Sequence, residues 1–190
     1  MDAAFPYLQP FCSASLGAIF ANPHNFRRQS QVEVLQISGS RGSWHSRVND
    51  ETIHNILEAV QSSSELVEPR LFAFFMLLRR QPAATYGYQM SVSRDGIEAI
   101  CKACNVNYGF LPDCLGRRTM WPAAGSTRED EKTCHTISEF HCQHPRLFKP
   151  FRWSEQRRRA RCSVYMNHDS AKNMAVYVVA AALGDSSIAS

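Results

Sequence analysis

Apolar residues recur along this chain with two different periods, and each switch of period marks an element. Over 31–38, Val32, Val34 and Gln36 alternate with Glu33, Leu35 and Ile37, the period of two that predicts a strand, and Gly39 and Gly42 break it. After Asn49 and Asp50, both good N-cap residues, Ile53, Ile56, Leu57 and Val60 fall at i, i+3, i+4 and i+7, predicting a helix over 50–62. Residues 71–78 are apolar without alternation and end at Arg79-Arg80, which predicts a strand covered on both faces. Ser93 opens a second helix over 93–105 whose apolar stripe is Ile97, Ile100, Cys101 and Cys104. Gly96 interrupts that helix at a cost of about 1 kcal/mol relative to Ala.

A short apolar stretch over 108–115 stops at Gly116. Residues 121–132, rich in Gly, Ser and charge, predict a loop, and 133–142 a strand. The clearest hairpin signal is C-terminal. Cys162, Val164 and Met166 alternate with Ser163, Tyr165 and Asn167, turn residues follow over 167–173, and 174–182 is apolar throughout. The pattern predicts an α/β domain, with α+β as the alternative: a layered mixed sheet with helices packed on it and a C-terminal antiparallel hairpin. That domain spans 31–183. Residues 1–30, broken by Pro6, Pro10 and Pro23, form a loosely ordered arm with aromatic residues able to dock on the core, and 184–190 a frayed tail.

Composition narrows the function classes. A chain of 190 residues buries a core without a metal or disulfide staple. The formal net charge is +4, and Arg supplies 17 of the 21 basic residues, which suits solubility and a few anion contacts better than a nucleic-acid footprint. Seven Cys and no secretory leader predict reduced thiols in a cytoplasmic protein. No apolar run approaches the roughly 18 residues of a membrane span.

Four motifs bear on chemistry. Cys101-Lys-Ala-Cys104 has zinc-finger spacing, with Cys134, His135, His141, Cys142 and His144 downstream. Structural zinc needs four convergent ligands, usually from turns, whereas Cys101 and Cys104 share a helical stripe with Ile97 and Ile100 and read as core. Cys134-His135 and His141-Cys142 are adjacent on a strand and point to opposite faces, a poor arrangement for a nucleophile and its base. The basic run 157–161, preceded by Phe148, Phe151 and Trp153, has the makings of a surface for single-stranded nucleic acid and reads as the solvated approach to a strand. Glu129, Asp130, Glu131 and Asp169 are hard oxygen donors suited to weak binding of a divalent cation such as magnesium. No Walker, G-x-S-x-G, H-E-x-x-H or G-x-G-x-x-G pattern occurs.

Two stretches carry a family resemblance. The first runs from Phe74 through Arg79-Arg80, Ser91-Val-Ser-Arg-Asp95 and Phe110-Leu111-Pro-Asp-Cys-Leu-Gly116 to Arg118. The second runs from Trp153-Ser154 through Ser163-Val-Tyr165 and His168-Asp169 to Val176-Tyr-Val-Val179. Together they resemble the soluble N-terminal domain of fungal CorA-like divalent-cation transporters, here without a G-M-N signature or membrane helices. The resemblance implies an α/β/α layered unit on the cytosolic side that assembles with copies of itself and regulates a pore it does not form. The expectation is therefore a non-catalytic regulatory domain, without a tightly held cofactor, acting by self-association and cation sensing. The alternative is a small zinc- or nucleic-acid-binding module using the Cys/His cluster or the 157–161 run.

Overall fold

The computed structural model describes residues 16–62, 68–115, 123–130, 135–147 and 159–182. Residues 16–21 are helical (α1), and a 3-10 turn over Pro23–Asn25 leads into the short strand β1, Phe26–Arg27. Then come β2 (Val32–Ser38), β3 (Arg41–Val48), α2 (Asp50–Ser62), β4 (Arg70–Arg80), β5 (Tyr88–Ser93) and α3 (Arg94–Ala103). A second 3-10 turn at Tyr108–Phe110 runs into α4 (Leu111–Cys114), and β6 (Ala123–Asp130), β7 (His135–Leu147), β8 (Arg159–Asp169) and β9 (Met174–Ala182) complete the chain.

The strands form one mixed sheet, so the α/β class read from the sequence holds. β4 and β9 pair in parallel along nine residues, and the meander β6–β7–β8–β9 extends one side in antiparallel register. The other side forks. The lower half of β4 pairs with β2, ending at Glu33↔Phe75, and β2 pairs with β3. The upper end of β4 pairs with β5, starting at Leu78↔Met90, and β5 pairs in parallel with β1. At the fork the Leu77 N–H donates to Ser91 Oγ (2.9 Å), and the Gln31 N–H donates to the Ser91 carbonyl (2.7 Å).

One hydrophobic core lies between this sheet and the helices. Ile53, Ile56, Leu57 and Val60 of α2 and Ile97, Ile100, Cys101 and Cys104 of the second predicted helix are all buried in it, the two stripes read from the sequence. They pack on Val32 and Val34, on Phe72, Phe74, Met76 and Leu78, and on Met174, Val176 and Val178. Burying each large side chain stabilises the fold by about 1.5–3 kcal/mol. Both N-terminal caps are made by the expected residues: Asn49 Oδ1 accepts from the Thr52 N–H (2.9 Å), and Ser93 Oγ from the Gly96 N–H (2.9 Å).

Four expectations are corrected. Residues 16–30, assigned to a loose arm, belong to the packed unit. Ile19 and Phe26 are buried in the core, and the buried Asn25 amide donates to the Ile19 carbonyl and to Thr85 Oγ1, both at 2.8 Å. Residues 1–15 and the tail 184–190 lie outside the described residues. The loop expected over 121–132 contains β6, an edge strand whose register with β7 runs from Ala123↔Cys142 to Asp130↔His135. Residues 41–48, where no strand was expected, form β3, and Gly39 with Ser40 makes the two-residue turn between Ser38 and Arg41, with Gly39 at φ +55°. Finally, β4 is not covered on both faces. Leu71, Phe75 and Leu77 stay partly exposed on the side opposite the described helices. The C-terminal hairpin stands as predicted, although Asn167–Asp169 belong to β8 and the turn is confined to 170–173. No helix among the described residues is long and apolar enough to cross a membrane.

Candidate functional site

The cysteines lie where their helical stripe placed them. Cys101 and Cys104 are buried on and just after α3, and burial raises both thiols, Cys104 to about 12, which keeps them protonated. A thiol held in its neutral form is neither a nucleophile nor a ready metal ligand. Cys142 lies opposite Val164 and His141 opposite Tyr165 in the β7–β8 register, so these neighbours point to opposite faces as expected. Cys134 and the side chains of His135 and His144 lie outside the described residues. Among the described residues no group of three His, Cys, Asp or Glu converges on a metal-sized point.

Of the acidic candidates, the side chains of Glu129 and Asp169 are described, and they stand on different strands. Glu129 is exposed near the end of β6, the Asp130 backbone pairs with His135, and Glu131 lies outside the described residues. Asp169 ends β8 across the sheet, and its carboxylate is engaged locally. Oδ1 accepts from the Ala171 (3.0 Å) and Lys172 (3.2 Å) N–H groups, and Lys172 Nζ lies 3.9 Å from Oδ2. Its role is to hold the β8–β9 turn. Of the basic run, Arg159 and Arg161 pair through their backbones with Leu147 and Pro145, while 157 and 158 lie outside the described residues.

The structure brings together two features that local pattern did not indicate. The first is the face of the sheet that the described helices leave uncovered. Pairing register aligns Trp44, Leu35, Ala73, Tyr177, Met166 and Phe140 in one row across six strands, from β3 to β7. A parallel row runs Phe75, Val179, Val164 and Cys142. Trp44 is 53% exposed and rests on Phe75 with ring centroids 5.2 Å apart, and Phe140 is 40% exposed. At one end Ile37, Leu71, Ala175 and His168 border a shallow hollow of about 280 Å³. With strands about 4.8 Å apart and a rise of about 3.3 Å per residue, this face measures about 24 by 20 Å.

The second feature lies at the fork of the sheet. The Asp50 carboxylate accepts from the Ser30 N–H (3.1 Å), from the Ser30 hydroxyl and from the Ser93 hydroxyl (2.6 Å), and the Ser93 N–H donates to Ser30 Oγ (2.8 Å). Burial raises the Asp50 carboxyl, but the hydrogen bonds from Ser30 and Ser93 outweigh it, and its pKa falls below 3.8. This knot ties the segment after β1 to the first turns of α2 and α3. Above it opens a cleft of about 620 Å³ bordered by Arg27, Arg28 and Arg47, none of which was singled out from the sequence. The adjacent pair Arg27-Arg28, and Arg47 two residues before the Asn49 cap, are the local signals that pointed there. No family model, curated protein or solved structure matches this chain.

Proposed function

We propose that this chain is a non-catalytic domain that works by associating with a second copy of itself through the uncovered sheet face. The observation carrying the reading is that the two central strands are apolar on both sides while the described helices cover one. Strands β4 and β9 place Phe72, Phe74, Met76, Val176 and Val178 in the core, yet present Leu71, Phe75, Leu77, Tyr177 and Val179 on the other side. Strands that face water on one side alternate apolar with polar residues, so a doubly apolar pair calls for a cover. A face of about 480 Å² sits at the upper range of apolar patches on monomers, and two such faces together reach about 1,000 Å², the lower bound of a specific interface.

The non-catalytic, regulatory character of the reading comes from the resemblance to CorA-like transporter domains, and the α/β class is in keeping with it. In that role the domain is the cytosolic part of a longer membrane protein. Magnesium enters as a weak modulator, with the exposed Glu129 as one carboxylate contact. Asp169 is left out because its turn engages its carboxylate.

Sedimentation velocity across a concentration series tests the association. The wild type is expected to shift from monomer to dimer with protein concentration, and Trp44→Glu combined with Phe140→Glu to remain monomeric with an unchanged far-UV spectrum. Both positions are exposed, so the charges disturb the interface and not the core. A wild type that stays monomeric up to millimolar concentration defeats the proposal. Repeating the series in magnesium reads out the modulation.

A further inference from the structure

The cleft at the fork is built from three separate pieces of chain. Arg27 ends β1, Arg28 begins the turn after it, and Arg47 comes from β3, twenty residues further on. Gln31, Asn49 and Gln89 border the same space with neutral hydrogen-bonding groups. Among the described residues no acidic side chain borders it, and none of the three arginines has a carboxylate partner. Three like charges around one opening repel one another. A cleft lined by one sign of charge concentrates ions of the other sign.

Two irregularities in the sheet aim these side chains. Between Val32↔Val48 and Val34↔His45, residues 46 and 47 of β3 oppose the single residue Glu33, a β-bulge. Within it Arg47 adopts φ +57°, in the left-handed region that disfavours residues carrying a Cβ. A second irregularity sits between Phe26 and Arg27, where β1 passes from Met90 to Ser93 across β5. Bulges redirect side chains and gather beside binding sites, and an unfavourable φ held by the surrounding fold is found at such sites. Here the β3 bulge carries Arg47 to the edge of the cleft, and the irregularity at β1 sets Arg27 beside the same cleft.

The electrostatic balance favours an anion. Asp50, beneath the cleft, supplies one negative charge against three positive ones, and its oxygens are turned to Ser30 and Ser93. Arginine forks match the paired oxygens of a phosphate.

We infer that this cleft binds a small phosphate-bearing ligand carrying more than one negative charge. Nothing in the association reading requires this site, so the two fail independently.

Calorimetric titration of the full chain with pyrophosphate tests the inference, with orthophosphate and citrate in parallel. Pyrophosphate is expected to bind more tightly than about 1 mM and to weaken as salt rises. Arg27→Ala and Arg47→Ala are each expected to lower its affinity about tenfold, the scale of one charged hydrogen-bonding group. Arg47→Gly separates ligand binding from scaffold. It relieves the left-handed backbone, so Tm is expected to hold or rise while affinity falls as in the alanine variant. Absence of pyrophosphate binding, stronger binding of citrate than of pyrophosphate, or full affinity in Arg47→Gly each overturns the assignment.

Discussion

A methyl group at residue 96 has no room. A Cβ there would stand 2.8 Å from Ser30 Oγ, 2.9 Å from Asp50 Oδ1 and 3.0 Å from Ser93 Oγ, all atoms of one hydrogen-bonded knot. Helix propensity alone favours Ala over Gly by about 1 kcal/mol, so it argues for the opposite residue. Gly96→Ala is therefore expected to destabilise the protein by about 2–3 kcal/mol, from overpacking and displaced hydrogen bonds. Urea unfolding checks it through a lower midpoint at unchanged slope, and a gain in stability would refute the close-approach account. The same knot has a pH signature. Because the Asp50 pKa is lower folded than unfolded, its contribution is complete above the ordinary value of 3.8 and is lost as pH falls through the folded value. Stability measured between pH 5 and pH 3 is expected to fall, and Asp50→Asn to flatten that segment of the profile. An equal slope in wild type and variant would remove Asp50 as the cause. Gly96 shows what one sequence conceals: an interrupted helix is visible locally, whereas its reason lies 66 residues away in Ser30.

Elements divide according to how far their own pattern carries them. The α2 stripe and the alternation over 162–167 of β8 are periodic, and both formed as expected. β6 reads Ala-Ala-Gly-Ser-Thr-Arg-Glu-Asp, a poor strand by propensity, and β3 is exposed at most positions. Each is a strand because a neighbour supplies the ladder, and their polar residues suit the edge of a sheet. β9 is the opposite case. It is apolar from end to end and lies between β4 and β8, with both backbone edges bonded. Amides over 175–179 are expected to exchange only through global unfolding, and those of β6 far sooner. Hydrogen exchange followed by mass spectrometry resolves the two segments, and fast exchange over 175–179 would mean that β9 is not central.

At the scale of the whole molecule, the sheet has one face covered by the described helices, one that they leave open, and one edge that forks. The open face supports association, which makes Tm rise with protein concentration if folded copies pair. The fork makes the cleft, because β2 and β5 leave the same strand at different heights. The sequence by itself determined the helical stripes, the apolar central strands, the caps at Asn49 and Ser93 and the burial of Cys101 and Cys104, since these are patterns over neighbouring residues. It also carried the doubly apolar character of β4, which on sequence alone calls for cover on both sides. Tertiary structure decided which side the described helices take, and that Trp44 and Phe140, 96 residues apart, share one row. It also set Arg27 and Arg28 around the same cleft as Arg47. Periodicity is local, whereas adjacency across a sheet comes from backbone pairing and from a bulge that shifts register by one residue, and neither leaves a period along the chain.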